Sequence, residues 1–326
     1  ELEWAARIVA QQSRARAMLA LLGDKQFLFS SSGESFLMYA TCGRCHVAMG
    51  DPVGPVSEWR ELIAAFCSMS RKTGGWPVFY QVEPEALQAY RDQGLHSMKL
   101  GEEAWVSLPD FSMGGSKRSR LRQTLRRTER GGGSLEILDE VPHAGLMAEL
   151  RRVSDAWLEK KNTREKGFSL GAFYPEYLSR CPLAIVRQDE RIVAFANLWC
   201  GQYGSELGLD LMRYTPDAPY GVMEYLFVKL FEWGKAQGYS RFNLGMAPLA
   251  GLDTEAPNSF WARAGSTVYK HGEYFYNFKG VREYKAKFLP KWESRYLVSP
   301  RGVRLPFSIA AVSSLIAGGA MGMVSR

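Results

Sequence analysis

The sequence predicts an α/β protein made of two similar units in tandem, joined by a basic helix. Three observations carry this. Between residues 183 and 246, three β-rich runs are followed by a run of helical period and one further β-rich run. A similar order occurs once before residue 110. Between the two lies KRSRLRQTLRRTER, residues 117–130, with seven basic residues and one acidic residue. No residue-level repeat relates the halves, so they share an architecture only.

The elements follow in chain order. Residues 2–22 carry Leu2, Ala5, Ile8, Val9, Ala15, Leu19 and Leu22 at helical spacing and end at Gly23, which predicts one long helix. Short strands are expected at 27–30, 35–40 and 45–49, with turns at Ser32-Gly33 and Cys42-Gly43. The run GDPVGP, residues 50–55, is a rigid turn. A helix over 57–72 follows, with Ser57 suited to its N-cap. Then come a strand at 76–82, a helix at 85–94 and a strand at 104–108. In the basic helix, Leu121 and Leu125 are four apart and form a narrow apolar seam; three glycines, Gly131 to Gly133, end it. The second unit opens with a strand at 135–138, a helix at 143–161 and a charged loop at 159–167. An aromatic segment at 171–180 holds Phe173, Tyr174 and Tyr177.

Strands at 183–187, 192–200 and 205–212 are separated by turns at Asp189-Glu190 and 201–204. The helix after them carries Val222, Tyr225, Leu226, Val228 and Leu230 and stops at Gly238; a strand at 241–245 returns. A loop at 247–257, a short helix at 259–264 and an aromatic-basic stretch at 269–292 come next. Residues 305–324 hold no charge and lie behind Arg301 and Arg304. That length can span a bilayer, but its glycines and serines weaken it. A span, an interfacial helix and a helix packed on the domain all stay open. The division is then 1–115 for the first unit, 116–134 for the connecting helix, 135–300 for a second unit carrying the active site, and 301–326 for an apolar tail that could face a membrane.

A strand meander, a helix and a strand beside the last one make the core order of a GNAT-like acyltransferase fold. The chain therefore reads as α/β, a tandem of two GNAT-like acyltransferase units joined by a basic helix. In that fold the cleft opens where the central strand parts from its neighbour, and Asp210 and Arg213 sit where the third strand runs into it. Such a pair can orient an amine on the carboxylate and a phosphate on the guanidinium; a local ion pair fixing the strand end is the plainer alternative.

Composition narrows the chemistry. Net charge is 41 − 34 = +7, favouring anionic partners. Seven cations against one anion in the basic helix suit phosphate contact by Lys117, Arg118, Arg120, Arg122, Arg126 and Arg127; a solvated linker is the alternative. Acetyl transfer from coenzyme A needs a run of free N–H groups before the helix, yet residues 213–221 place Pro216, Asp217 and Pro219 there. No coenzyme or other cofactor is expected. No G-x-S-x-G, Walker or H-E-x-x-H motif is present, and His46, His96, His143 and His271 are isolated. The cysteines Cys42, Cys45, Cys67, Cys181 and Cys200 are odd in number, and the lone C-x-x-C has no second pair, so reduced cysteines and no metal are expected. The chain opens on Glu1 without a signal peptide, which reads as a cytosolic piece of a longer protein.

The ordered motifs GDPVG (50–54), the basic helix, LDLMR (209–213) and YNFKGVREYKAKF (276–288) resemble the aminoacyl-phosphatidylglycerol synthases. More narrowly they resemble the soluble catalytic domain of the multiple peptide resistance factor, over nearly the whole chain. The resemblance implies two fused GNAT-like units, as in Fem-type peptidoglycan aminoacyltransferases. It implies that aminoacyl-tRNA donates a lysyl or alanyl group to the glycerol hydroxyl of phosphatidylglycerol, giving resistance to cationic antimicrobial peptides. It further implies an N-terminal membrane-embedded flippase on the same full-length chain, a place at the cytoplasmic face of the bacterial cell membrane, and Asp210, Arg213 and Lys285 as catalytic residues. A Fem-type transferase and a non-catalytic tRNA- or membrane-binding module are the competing readings.

Overall fold

A computed structural model describes residues 1–250, 278–302 and 304–318. The first half opens with α1 (Leu2–Val9) and a 3-10 helix (Ala15–Leu22), then β1 (Gln26–Phe29), β2 (Phe36–Cys42) and β3 (Cys45–Met49). Helix α2 (Trp59–Lys72) leads to β4 (Trp76–Val82), and α3 (Leu87–Arg91) to β5 (His96–Ser107). After α4 (Ser119–Arg130) and β6 (Gly133–Leu138) come α5 (Ala144–Lys160), α6 (Pro175–Leu178), β7 (Leu183–Gln188), β8 (Arg191–Cys200) and β9 (Glu206–Tyr214). Helix α7 (Val222–Ala236), β10 (Arg241–Pro248), α8 (Phe278–Ala286), β11 (Lys291–Ser299) and α9 (Arg304–Ile316) complete the described chain.

Both halves are GNAT-like. In the first, β1, β2 and β3 form an antiparallel meander, and α2 returns the chain so that β4 runs parallel to β3. In the second, β6 to β9 form the meander, and α7 returns it so that β10 runs parallel to β9. The halves join in one sheet of order β1-β2-β3-β4-β11-β5-β10-β9-β8-β7-β6. Strand β11, late in sequence, lies between β4 and β5 and so closes the first half.

The cores are shared rather than separate. One apolar cluster takes Leu19, Phe36 and Val47 from the first half and Phe173, Phe195 and Ile309 from later in the chain. A second packs α4 and α7 on the sheet through Leu121, Leu125, Phe227 and Phe231. A third holds Phe66, Phe79 and Tyr90 beneath α2 and α3. On α2, Leu62, Ile63 and Phe66 recur at helical spacing and are buried, each contributing about 1.5–3 kcal/mol relative to exposure.

Four expectations need correction. The helix expected over 2–22 is broken, because residues after α1, up to the first of the 3-10 helix, bond to the β8–β9 hairpin instead. Gln202 N donates to Gln12 O (2.8 Å) and Ala15 N to Glu206 Oε2 (3.0 Å). Strand β5 begins at His96, eight residues before the expected start, because β10 and β11 pair it on both sides while its polar residues hide the alternation. Ser57 does not cap α2, which begins after a 3-10 turn at Val56–Glu58. The helix expected over 85–94 is a 3-10 turn, Pro84–Ala86, followed by the short α3. The helix expected at 259–264, His271 and the first part of the aromatic-basic stretch lie outside the described residues.

The described part of the tail packs on the domain, and residues 319–326 lie outside the described residues. Helix α9 lies on β2 and β3 and buries Ile309, Ala311, Val312 and Ile316. Among the described residues, no helix is long and apolar enough to cross a membrane.

Candidate active site

The cavity that matters opens where β9 and β10 part. These strands pair only over Glu206–Gly208 and Arg241–Asn243, then diverge, leaving a space of about 640 Å³. Tyr80, Glu103, Asp210, Asn243, Tyr284 and Lys285 are among its walls. Both halves of the chain thus contribute.

A bulge in β9 sets the geometry. The register with β8 passes from Ala196↔Met212 to Leu198↔Leu209, so β9 spends one residue more than β8. Buried Asn197 fills the gap and its Oδ1 accepts from Leu211 N (2.8 Å). The extra residue turns Asp210 and Arg213, three apart, to the same face. There Asp210 meets Tyr177, and Arg213 lies 4.2 Å over the Trp157 ring of α5.

Asp210 accepts from Gly171 N (2.7 Å) and from Tyr177 Oη (2.7 Å), which in turn accepts from Trp199 Nε1 (2.8 Å). A Cβ on Gly171 would fall 1.9 Å from Asp210 Oδ2, so only glycine admits the carboxylate. Burial pushes Asp210 up to about 6, against the lowering effect of its donors and of Lys25. Lys285 projects from α8, and its Nζ donates to Met246 O (2.8 Å). Burial pulls it down to about 8, with Glu103 acting in the opposite sense. The cavity therefore holds a carboxylate and an amine whose titrations both fall near neutrality, a pattern common at reactive sites.

Glu103 holds the floor together. Burial alone would raise it, but the guanidiniums of Arg16 and Arg295 beside it hold it down at about 2. Asn243 Nδ2 donates to the same carboxylate (3.0 Å). With two cations and an amide on one acid, Glu103 is an anchor rather than a free base.

The expected site residues separate at this point. Asp210 and Lys285 line the same cavity. Arg213 is buried, pairs with Glu165 (2.8 Å) in the charged loop after α5, and is not among the cavity walls. It makes no ion pair with Asp210, so the simple local pair is absent. Its Nη1 is buried without a hydrogen-bond partner among the described residues.

The basic helix divides too. Leu121 and Leu125 are buried against α7, and the space for a Cβ on Gly221 is taken by Thr124 Cγ2 at 2.4 Å. Arg122 donates to Met113 O and Gly115 O (2.6 Å each), and Arg118 donates to Ser112 O. Those two clamp the preceding loop. Lys117, Arg120, Arg126 and Arg127 are exposed. The GDPVG turn is also structural: Asp51 accepts from Tyr90 Oη (2.7 Å) and Glu83 N (2.9 Å), and burial lifts it to about 6.

Sequence reasoning missed Arg16, Glu103, Asn243, Gly171 and Tyr177. Only Glu103, an acid inside a strand ending in AWVS, left a readable signal, since a buried strand acid needs partners. His143, isolated in sequence, caps α5, its Nδ1 accepting from Leu146 N (3.1 Å).

Comparison with known proteins adds the family. The family described as "Phosphatidylglycerol lysyltransferase, C-terminal" matches residues 6–299. A phosphatidylglycerol lysyltransferase of Bacillus subtilis (strain 168) is 39% identical over 305 residues, 93% of this chain and 35% of that protein. The chain thus spans about a third of the length of the curated relatives it matches. The crystal structure of the C-terminal domain of a putative lysylphosphatidylglycerol synthetase from Agrobacterium fabrum superposes with TM-score 0.89 at 43% identity, covering 98% of this chain and 97% of that one. FemX, at 9% identity and TM-score 0.57 over 95% of this chain and 98% of its own, shares the fold alone. With the family matched across both units and the sheet that fuses them, the chain belongs to the phosphatidylglycerol lysyltransferase C-terminal family.

Proposed function

We propose that the chain moves an aminoacyl group from aminoacyl-tRNA to the glycerol hydroxyl of phosphatidylglycerol, with the cavity between β9 and β10 as the place of transfer. The observation that carries this is an acid and an amine, Asp210 and Lys285, facing one roomy cavity in a chain of this family. The name of the relatives points to a lysyl donor, and an alanyl donor is the other the sequence leaves open.

The reaction asks little of the protein chemically. The glycerol oxygen attacks the ester carbonyl, a new carbon–oxygen bond forms, and the bond to the terminal ribose breaks. The hydroxyl proton passes to the departing ribose oxygen. The ester is already activated, so orientation can contribute on the order of 7–11 kcal/mol. In this reading Asp210 holds the α-ammonium of the donor and Lys285 offers its charge to the carbonyl oxygen as it becomes negative. Arg213 serves as a positioning residue that ties the loop after α5 through Glu165. Lys117, Arg120, Arg126 and Arg127 face solvent, free to meet tRNA phosphates.

The domain would work at the cytoplasmic face of the bacterial cell membrane, where its lipid lies. The membrane-embedded flippase that the resemblance implies would account for the remaining length of the relatives. The test is to incubate the chain with phosphatidylglycerol and labelled Lys-tRNA or Ala-tRNA and analyse the lipid. Label in aminoacyl-phosphatidylglycerol supports the proposal; label only in free amino acid contradicts it.

A further inference from the structure

We propose that a second cleft, lined by arginines at the far end of β4, binds the phosphates of anionic phospholipids at a bilayer surface and so holds the domain there. It lies where β3 and β4 begin, β11 ends and α9 starts, and encloses about 450 Å³. Its walls include Arg44, Arg71, Trp76 and Arg304, and no acid among the described residues. Trp76 is four residues before Tyr80 of the catalytic cavity, about 13 Å along an extended strand. The two sites are distinct.

The cations are held in place with their charge unspent. Arg44, Arg71 and Arg304 are exposed, and none forms an ion pair among the described residues. Arg44 Nε and Nη2 donate to Gly74 O (2.8 and 2.5 Å), which fixes the plane of its guanidinium. Arg44 and Arg304 both lie against the Trp76 ring, at 5.6 and 5.5 Å from its centroid. Like charges gathered on one indole repel, and an anion between them would offset that cost. Arg304 also stands in the first turn of a 13-residue helix, whose positive end adds to the field.

An apolar probe sits beside this charge. Phe307 is 63% exposed, although its own turn is tied down: Cys45 Sγ donates to Phe307 O (3.8 Å) and Trp76 Nε1 to Ser308 Oγ (3.2 Å). A soluble phosphate would need the arginines only. Arginines next to a fixed, exposed phenyl match a bilayer interface, with phosphates for the former and the headgroup–acyl boundary for the latter.

Co-sedimentation with vesicles tests this without relying on transfer activity, so failure of either proposal is told from failure of the other. The chain should bind phosphatidylglycerol–phosphatidylcholine vesicles well above pure phosphatidylcholine. The pair Arg44→Gln with Arg71→Gln should lose at least about tenfold in that binding, since each cation near an anionic surface contributes on the order of fivefold. Phe307→Ser should lose less. All should keep the wild-type melting midpoint, tRNA affinity and turnover on detergent-dispersed lipid; should the pair melt early, Arg304→Gln alone should lose on the order of fivefold in vesicle binding. Unchanged vesicle binding, or an equal loss on pure phosphatidylcholine, overturns the proposal. So does a loss of tRNA affinity instead, which would assign the cleft to nucleic acid. Binding of soluble glycerol phosphate without binding of vesicles would also overturn it, in favour of a free phosphate.

Discussion

Asp210 and Lys285 set the pH behaviour expected of the protein. Asp210 must be ionised to hold an ammonium group, and burial lifts its titration to about 6. Lys285 must be charged to meet an oxyanion, and burial lowers its titration to about 8. The kcat/KM profile should rise through about pH 6 and fall through about pH 8. The donor's own amino group titrates in the same window, so Lys285→Arg separates the causes: its alkaline limb moves up if the lysine is responsible and stays if the substrate is. Stability runs by the same linkage. Asp210 and Asp51 are raised in the fold, so their contribution is present below the ordinary carboxylate range and lost as pH climbs through about 6. Denaturant midpoints measured from pH 4 to pH 7 should fall over that interval, and by less in Asp210→Asn. Asp210 was readable as an acid of the third strand, although β9 runs on to Tyr214 instead of ending there. Gly171 was not, because its need is steric: only the folded loop brings Asp210 Oδ2 to 1.9 Å from where a Cβ would stand. Gly171→Ala should therefore cut transfer nearly as much as loss of Asp210, and recovered activity near wild type would refute that packing.

The basic helix was legible in its periodicity, while its charge did not separate one arginine's duty from another's. Leu121 and Leu125, four apart, are the buried seam they suggested. Charge alone could not tell Arg122, spent on Met113 O and Gly115 O, from Arg126 and Arg127, which face water. Reversing Arg120, Arg126 and Arg127 should flatten the salt dependence of tRNA binding by roughly 0.7–0.9 in the log–log slope per lost phosphate contact, with the fold intact. Arg122→Glu should instead lower the melting midpoint, since it removes two hydrogen bonds from a charged donor and sets an acid against the carbonyls of Met113 and Gly115. Two other elements escaped sequence pattern for one reason, which is partners far along the chain. Residues 10–14 left the helical path to bond with the β8–β9 hairpin, and β5 hides polar residues between two neighbouring strands. Helix α9 is part of the fold by the same measure. Truncation at Arg304 would uncover the apolar surface now beneath Ile309, Val312 and Ile316 and should lower the melting midpoint in detergent and in buffer alike.

The described strands form one sheet, and that decides how the site is assembled. The tandem order was legible because each half repeats a meander, a helix and a parallel strand. The way the halves fuse was not, because nothing local says that β11 pairs with β4 and β5. Through that fusion the first half supplies Arg16, Tyr80 and Glu103, and the second Asp210, Asn243 and Lys285, to a single cavity. Residues 1–115 expressed alone would lack β11 and leave edges of β4 and β5 open, so they should be far less stable than the whole chain. On the function proposed above, transfer takes place in this shared cavity. The most direct measurement is a single-turnover reaction of labelled Lys-tRNA with phosphatidylglycerol, comparing the native chain with Asp210→Asn and Lys285→Ala and following tRNA binding in parallel. Labelled lipid from the native chain is expected, with product falling by at least about a hundredfold in both variants while tRNA affinity and melting midpoint hold. Folded variants that make labelled lipid at the native rate would contradict it.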